Sequence, residues 1–327
     1  MTPAASANHE ASRQATCRLV DRLASEAREQ QTALARAIAG GATPPSLRAE
    51  AYAALHTPPP GGAYSRLAPA LLNAQATLQT ECAASVPLFN AYLLAHALAC
   101  FDLGGGTCKL PASVENLYPG ELQRILSRIR RVEACDLGDD TYLKDLAILD
   151  HRLIPVGAEF ASPASGIPRR LLFSNGIGQF LRGCRLLATV GGARPFFELH
   201  AHVLSLSEFH PTGWERTYVR LAELLALNPD VRGWMSSSWF LDPALRDISP
   251  RLTYLREVPT RHGATLLFVG PDHDGSSGAL ARSGTRRRLF DEGRYVPAIY
   301  MRVWPRASML RWLAKARAAD TSMADAA

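Results

Sequence analysis

Residues 196–240 decide the fold class of this chain, and they read FFELHAHVLSLSEFHPTGWERTYVRLAELLALNPDVRGWMSSSWF. The alternation within Phe196–Leu206 predicts a strand, because successive side chains of a strand point to opposite faces. The apolar residues of Gly213–Leu227 recur at helical spacing, and Val231–Phe240 predicts a second strand. A strand, a helix and a strand in this order predict two parallel neighbouring strands joined by the helix.

The rest of the second half continues this alternation, whereas the first half shows only helical patterns up to residue 140. Further strands are predicted at Ile154–Ala161, Arg170–Ser174, Ala264–Val269 and Ala298–Trp304, and further helices at Ile177–Val190, Pro250–Pro259, Ser277–Asp291 and Ala307–Ala318. We therefore predict an α/β (α+β) protein with an N-terminal all-α region over residues 1–140. A mixed-sheet α/β domain follows over residues 141–327 and carries the site.

Composition narrows the class of protein and its partners. The 327 residues are 47% hydrophobic and 20% charged, as in an ordinary globular protein, and no run approaches 18 consecutive apolar residues. This predicts no membrane span. Basic residues exceed acidic ones by only six, without the dense basic stripe typical of nucleic-acid binding. We predict a small anionic or acyl-thioester ligand and no nucleic acid, and the sequence leaves the oligomeric state open.

The cysteines and the N-terminus bear on localisation. The six cysteines are scattered and form no CxxC pair, so neither a disulfide framework nor a zinc ribbon is indicated. The first twenty residues lack the apolar core of a secretion signal. We predict a reduced, cytoplasmic setting.

The strand at Phe196 carries the strongest chemical signal, because Glu198, His200 and His202 alternate onto one face. Imidazole and carboxylate groups ligate zinc or iron, and histidine is also a ready general base. A solvent-exposed or hydrogen-bonded sheet face explains the same pattern without chemistry. All three interpretations stay open from the residues alone.

The carboxyl ends of the two parallel strands predict the position of a ligand pocket, because ligands of open α/β sheets bind there. Small hydroxyl groups beside large aromatic rings, as in residues 234–239, suit a pocket wall. An arginine-rich C-terminal region offers guanidinium groups that clamp phosphate or carboxylate; it contains Arg282, Arg286, Arg287, Arg288, Arg294, Arg302, Arg306 and Arg311. The predicted lining residues are His202, His210, Trp214, Ser238, Trp239 and Asp242, with Arg251 or Arg286 supplying positive charge.

Three short patterns resemble those of a group of proteobacterial proteins, and this resemblance implies no particular activity. They are ELHAH at residues 198–202, SWFLDP at 238–243, and ISPRL with YLR at 248–256. In its order of elements, the C-terminal half is also remotely similar to the core of the GNAT acyltransferases. The GNAT resemblance implies transfer of an acyl group from acyl-coenzyme A to a small amine or an amino-acid-like substrate.

The GNAT resemblance also implies roles for particular residues. The loop after the fourth strand of that fold cradles the pyrophosphate of coenzyme A, and Thr212 and Gly213 stand at the corresponding place. Glu198 or His200 would be the base, and Tyr254 would protonate the leaving thiolate. Two alternatives stay open: a metal-dependent enzyme that uses Glu198, His200 and His202, with a divalent metal as the weaker cofactor expectation, or a non-catalytic ligand-binding protein.

Overall fold

A computed structural model describes residues 3–39, 64–201 and 207–324. The chain divides into two compact units, Met1–Val156 and Gly157–Ala327. The division predicted after residue 140 falls at the start of a helix, Asp140–Leu149, that the structure includes in the first unit. Together the units make an α+β protein with an N-terminal helical region, so the predicted fold class is confirmed.

The first unit is built from helices around one apolar core. Helix α1 packs along α3 and α5, and its Leu23 is buried, as are Phe89 and Leu126 on those two helices. The helices and one two-residue strand are α1 (Pro3–Ala39), α2 (Pro69–Cys82), α3 (Val86–Ala99), α4 (Ala112–Glu115), α5 (Tyr118–Ile129), α6 (Asp140–Leu149) and β1 (Ile154–Pro155).

One helical stretch bears on the prediction that no membrane span is present. Within the described residues, Pro69–Ala99 alone is long and apolar enough to cross a membrane by length and composition. Of its most apolar window, 56% is buried inside the protein, and the core helix of a soluble protein passes the same test. The absence of a span therefore stays a prediction.

The second unit combines a mixed sheet with helices. Its strands are β2 (Glu159–Ser165), β3 (Phe196–Ala201), β4 (Gly233–Ser238), β5 (Thr265–Pro271) and β6 (Ala298–Pro305). Its helices are α7 (Gly176–Val190), α8 (Pro211–Leu227), α9 (Leu245–Ile248), α10 (Tyr254–Arg261), α11 (Gly278–Ala281), α12 (Gly284–Asp291) and α13 (Arg306–Ala324).

The strands of the second unit lie in the order β2-β3-β4-β6-β5. Strands β3 and β4 are parallel neighbours, and α8 lies between them in the chain, which confirms the prediction from residues 196–240. The pairs β2–β3, β4–β6 and β5–β6 are antiparallel. The last five residues of the predicted strand Phe196–Leu206 lie outside the described residues.

The predicted strand Arg170–Ser174 is wrong, because the chain forms a 3₁₀ helix at Arg169–Leu172 instead. Arg169 and Arg170 are both exposed, and Leu171 and Leu172 are both buried. Two adjacent side chains of a strand cannot enter the same core, whereas a helical turn allows it. The predicted helix Ser277–Asp291 divides into α11 and α12, and residues 250–252 of the predicted helix Pro250–Pro259 form a 3₁₀ turn before α10.

The two faces of the sheet carry different cores. One face is mainly aliphatic: Met235 belongs to a cluster with Leu186 of α7 that also includes Phe196, and we call it the aliphatic face. The other face is aromatic: Trp234 stacks on Tyr218 of α8 at 5.9 Å between ring centroids, and Trp304 lies 5.7 Å from Trp312 of α13. Side-chain alternation therefore assigns each strand residue to an aliphatic or an aromatic face.

Gly233 begins β4 with a backbone conformation that other residues rarely adopt. Its φ is +155°, and a Cβ atom there would lie 2.3 Å from the carbonyl oxygen of Trp304. Since the Cα atom that would carry this Cβ and the carbonyl oxygen of Trp304 belong to paired strands, neither can move without disturbing the ladder. Glycine is therefore required where β4 starts.

We expect Gly233→Ala to lower the free energy of unfolding of the second unit by about 3 kcal/mol, from backbone strain and the clash with Trp304. Gly270→Ala is the matched control, because Gly270 lies in β5 and a Cβ atom there meets nothing within 4 Å. Urea unfolding followed by tryptophan fluorescence measures both variants. Equal midpoints for the two would contradict the argument.

Candidate functional site

A cavity of about 370 Å³ opens in the second unit at the carboxyl ends of β3 and β4. Ala201, the last residue of β3, lines it, as do Trp239 and Phe240 directly after β4. The remaining lining residues are Ala158, Phe209, Arg251, Leu252, Gly278, Arg282 and Arg286. The volume is within the range of small-molecule sites, and the position is the one predicted from the two parallel strands.

The cavity lies where β3 and β4 separate. Phe197 pairs with Trp234 and Glu198 with Met235, and the described residues of the two strands form no further ladder pair. By contrast, β4 pairs with β6 along all of its length, from Gly233 to Ser238. The sheet is therefore closed on one side of β4 and open on the other beyond Glu198.

Aromatic rings form one wall of this cavity. The ring of Phe240 lies 4.0 Å from that of Trp239 and 4.9 Å from that of Phe209, measured between centroids. Phe209 in turn meets Trp214 edge-on at 5.7 Å. Because Trp214 is buried behind Phe209, it supports the wall and is not a lining residue.

Three arginines give the cavity a positive charge. Arg251 and Arg282 are exposed, whereas Arg286 is only 3% exposed. Within the described ranges, none of the three lies within ion-pair distance of a carboxylate. An uncompensated cluster of guanidinium groups beside aromatic rings favours an anionic ligand that also has an apolar part.

Arg286 also joins the segments that surround the cavity. Its Nε atom donates to the carbonyl oxygen of Ala279, its Nη1 atom donates to Ser249 Oγ at 2.9 Å, and its guanidinium lies 4.5 Å from the Trp239 ring centroid. Burial lowers the pKa of Arg286, and the charge of Arg251 acts in the same direction. A negative ligand beside these two arginines would relieve their repulsion.

A second buried arginine organises the aromatic face behind the cavity. Arg302 of β6 is 2% exposed, although its spacing in the sequence does not distinguish it from the other arginines of the C-terminal region. Its guanidinium donates to Ser236 Oγ at 3.0 Å and to the carbonyl oxygen of Leu255, and it lies 4.4 Å from the Trp234 ring centroid. The contact to Leu255 fixes the position of α10 against β4 and β6.

Glu198 and His200 do not line the cavity. They alternate with Phe197 and Leu199 and so share the aliphatic face with Phe196, while Ala201 lies on the aromatic face. Glu198 accepts a hydrogen bond from Ser165 Oγ, and its backbone stands at the last ladder pair before β3 and β4 separate. His200 is half-buried on the same face.

His202 lies outside the described residues, so its place relative to Glu198 and His200 is not described. Among the side chains that the structure describes, no group of three or more His, Cys, Asp and Glu residues is close enough together to hold a metal ion. The metal-dependent alternative therefore gains no geometric support from the described residues.

The N-terminus of α8 is shaped by packing. His210 is the N-cap, and its Nδ1 atom accepts a hydrogen bond from the backbone N–H of Gly213 at 3.2 Å. A Cβ atom on Gly213 would lie 2.1 Å from the carbonyl oxygen of Glu208, so the close approach of that backbone requires glycine. Thr212 is exposed. The predicted phosphate contact at Gly213 would have to displace the His210 cap.

Ser238 and Asp242 both serve the turn that follows β4. Ser238 Oγ accepts from the backbone N–H of Phe240 at 3.1 Å. The buried carboxylate of Asp242 accepts from the N–H of Ala244, the N–H of Ala298 and the hydroxyl of Tyr295, each at 3.0 Å. Burial, and then the charge of Asp242, raise the pKa of Tyr295, which stays a neutral donor. These residues position the Trp239–Phe240 wall.

Tyr254 begins α10, two residues after the lining residue Leu252. Burial raises the pKa of its phenol to about 12. Its hydroxyl is buried and, in the described part of the chain, has no hydrogen-bond partner. The group is therefore a neutral donor at physiological pH.

The structure thus brings together three of the predicted lining residues, Trp239, Arg251 and Arg286. The sequence reasoning missed Phe209, Phe240 and Arg282 as lining residues. Phe209 directly precedes the predicted residue His210, and Phe240 directly follows the predicted residue Trp239. The available signal in the sequence was therefore an aromatic residue next to a predicted lining residue. Arg282 belonged to the arginine-rich region, where spacing alone does not separate lining from solvated residues.

Comparison with known proteins adds no relative to this description. No protein-family model, no curated protein and no solved structure matches the chain.

We expect Asp242→Asn to lower the free energy of unfolding by roughly 2 kcal/mol, because an amide nitrogen cannot accept from Tyr295 or Ala298 and leaves a buried donor unsatisfied. Tyr295→Phe removes one bond and keeps the carboxylate, so its effect should be about half as large. Chemical unfolding measures both. A smaller loss for Asp242→Asn than for Tyr295→Phe would show that the carboxylate does not organise this turn.

Proposed function

We propose that the second unit is a GNAT-like acyltransferase that transfers an acyl group from acyl-coenzyme A to a small amine or an amino-acid-like substrate. The observation that carries the proposal is the separation of β3 and β4 beyond Glu198, with a cavity at their carboxyl ends. A parallel pair that opens in this way lets an extended thioester lie between two strands of the sheet.

The sheet order supports the same proposal. Strands β3 and β4 are parallel with α8 between them, and β6 lies between β4 and β5. This arrangement agrees with the strand, helix and strand order on which the resemblance in sequence rests. Proteins of one fold act on many different substrates, so the residues that line the cavity, and not the fold, indicate the substrate.

The composition of the cavity suits an acyl thioester of coenzyme A. Such a ligand carries phosphates, an aromatic base and an apolar acyl chain. The exposed Arg251 and Arg282 match the phosphates, and Trp239 and Phe240 offer rings for stacking or for the acyl chain. Because the N–H of Gly213 is engaged by His210, the proposed phosphate contacts come from arginine side chains more than from the α8 N-terminus.

In the proposed reaction the amine nitrogen attacks the thioester carbonyl, the C–S bond breaks, and an amide and a free thiol result. Glu198 stands where the strands separate, with its side chain on the sheet face opposite the cavity lining, so it takes the proton that the nitrogen loses through water, with or without His200. With a pKa of about 12, Tyr254 is too weak an acid to protonate a thiolate whose ordinary pKa is about 8.5. It donates a hydrogen bond to the leaving sulfur, and the proton that Glu198 removed passes to the thiolate through solvent.

Binding of acetyl-coenzyme A, measured by isothermal titration calorimetry, tests the ligand. We expect Arg251→Gln and Arg282→Gln each to weaken affinity about tenfold, since each removes a charged phosphate contact. Arg288→Gln is the matched control, because Arg288 is an exposed arginine of α12 outside the cavity and should bind like the parent. No detectable binding at millimolar ligand would falsify the proposal.

Thiol release from acetyl-coenzyme A in the presence of pooled small amines tests the chemistry. We expect Glu198→Gln to lower kcat about a hundredfold with little change in thioester affinity, because the base acts only on the amine. Tyr254→Phe should lower kcat roughly tenfold and leave the pH profile unshifted, since the phenol stays protonated below its pKa of about 12. Thioester binding with no turnover on any amine would favour a ligand-binding protein instead.

A further inference from the structure

The surface around α7 combines exposed apolar side chains with arginines. Phe173, Ile177 and Leu181 are 71%, 72% and 60% exposed, and the ring of Phe180 lies 5.4 Å from that of Phe173. We call these four residues the apolar ridge. Ile177 and Leu181 are four residues apart and therefore lie on the same side of the helix.

The opposite side of α7 is anchored, so the ridge points away from the sheet. The side-chain amide of Gln179 donates to the carbonyl oxygen of Phe268 at 2.9 Å and accepts from its N–H at 2.7 Å. Leu186 is buried in the aliphatic core, and a Cβ atom on Gly183 would lie 2.3 Å from Leu172 Cδ2. Rotation of the helix to bury the ridge would break these contacts.

The segment that carries the ridge has charged side chains of one sign. Residues 166–194 contain no aspartate or glutamate and five arginines, Arg169, Arg170, Arg182, Arg185 and Arg194. The two arginines directly before the ridge and the two within α7 are exposed. An anionic surface would therefore be attracted to this segment without any opposing charge from it.

We propose that the apolar ridge inserts into the surface of an anionic lipid bilayer, with the arginines contacting the headgroups. Side chains that are 60–72% exposed stand clear of their surroundings, as insertion between lipid headgroups requires. In interfaces between proteins, by contrast, the apolar side chains that contribute most to binding usually lie in well-packed pockets. This proposal is independent of the proposed acyltransferase function and requires no membrane-spanning helix.

Co-sedimentation of the full chain with vesicles tests the proposal. We expect the protein to pellet with phosphatidylcholine vesicles that contain phosphatidylglycerol, and to bind vesicles of phosphatidylcholine alone about tenfold less. Phe173→Ser/Ile177→Ser should lower partitioning into the mixed vesicles by about tenfold or more, because the inserted apolar area is lost. Arg169→Gln/Arg185→Gln should weaken binding to the mixed vesicles and leave the weak binding to phosphatidylcholine unchanged.

Leu227→Ser is the matched control, because Leu227 is an exposed apolar residue at the end of α8, outside the ridge. It should bind vesicles like the parent chain, and circular dichroism spectra should show that all variants keep their helices. Parent protein that stays in the supernatant with both vesicle types overturns the proposal. A second result also overturns it: the parent chain forms dimers, and Phe173→Ser/Ile177→Ser dissociates these dimers without changing vesicle binding. The ridge would then be an interface between copies of this chain.

Discussion

The arrangement of the second unit depends on the contacts of one buried group, the guanidinium of Arg302. It lies on β6, bonds to Ser236 of β4 and to the carbonyl oxygen of Leu255 on α10, and faces the indole ring of Trp234. Removing an ion from water costs several kcal/mol, so the group is tolerated only where hydrogen bonds and aromatic faces replace its hydration. Because these partners belong to β4 and α10 while Arg302 lies on β6, the contacts of one cation fix the relative positions of the three elements.

The cavity at the ends of β3 and β4 is a consequence of that arrangement. Arg302 and the tryptophans hold β4 to β6 along its length, while two ladder pairs hold β4 to the part of β3 that the structure describes. The open side is then bounded by turns rather than by strands. Asp242 holds the turn that carries Trp239 and Phe240, and Arg286 connects that turn to α11 and to Ser249. Buried polar residues therefore support a wall whose surface is aromatic.

Much of the fold could be predicted from periodicity, and part of the site from topology. The parallel pair, the helix between its strands and a ligand cavity at the carboxyl ends follow from the pattern of residues 196–240. Within the site, the sequence predicts Trp239, Arg251 and Arg286 as lining residues, and all three line the cavity. It also predicts Trp214 and Asp242, which support the wall from behind. In the sequence, a large ring or a carboxylate that lines a pocket looks the same as one that supports the wall of the pocket. Only the contacts of the side chain in the folded protein distinguish the two roles.

The sequence by itself determined the class of the protein: a helical N-terminal region, a mixed α/β unit, and the place in the sheet where two parallel strands end. Those properties depend on the spacing of apolar residues along the chain, which is a local quantity. The tertiary structure alone decided which arginines are buried, which strand face Glu198 and His200 share, and why Gly233 and Gly213 must be glycine. Each of these depends on atoms that are distant in sequence, such as the carbonyl oxygen of Leu255 beside Arg302 or that of Trp304 beside Gly233. Burial and close backbone contact are properties of pairs brought together by folding, and spacing along the chain does not encode them.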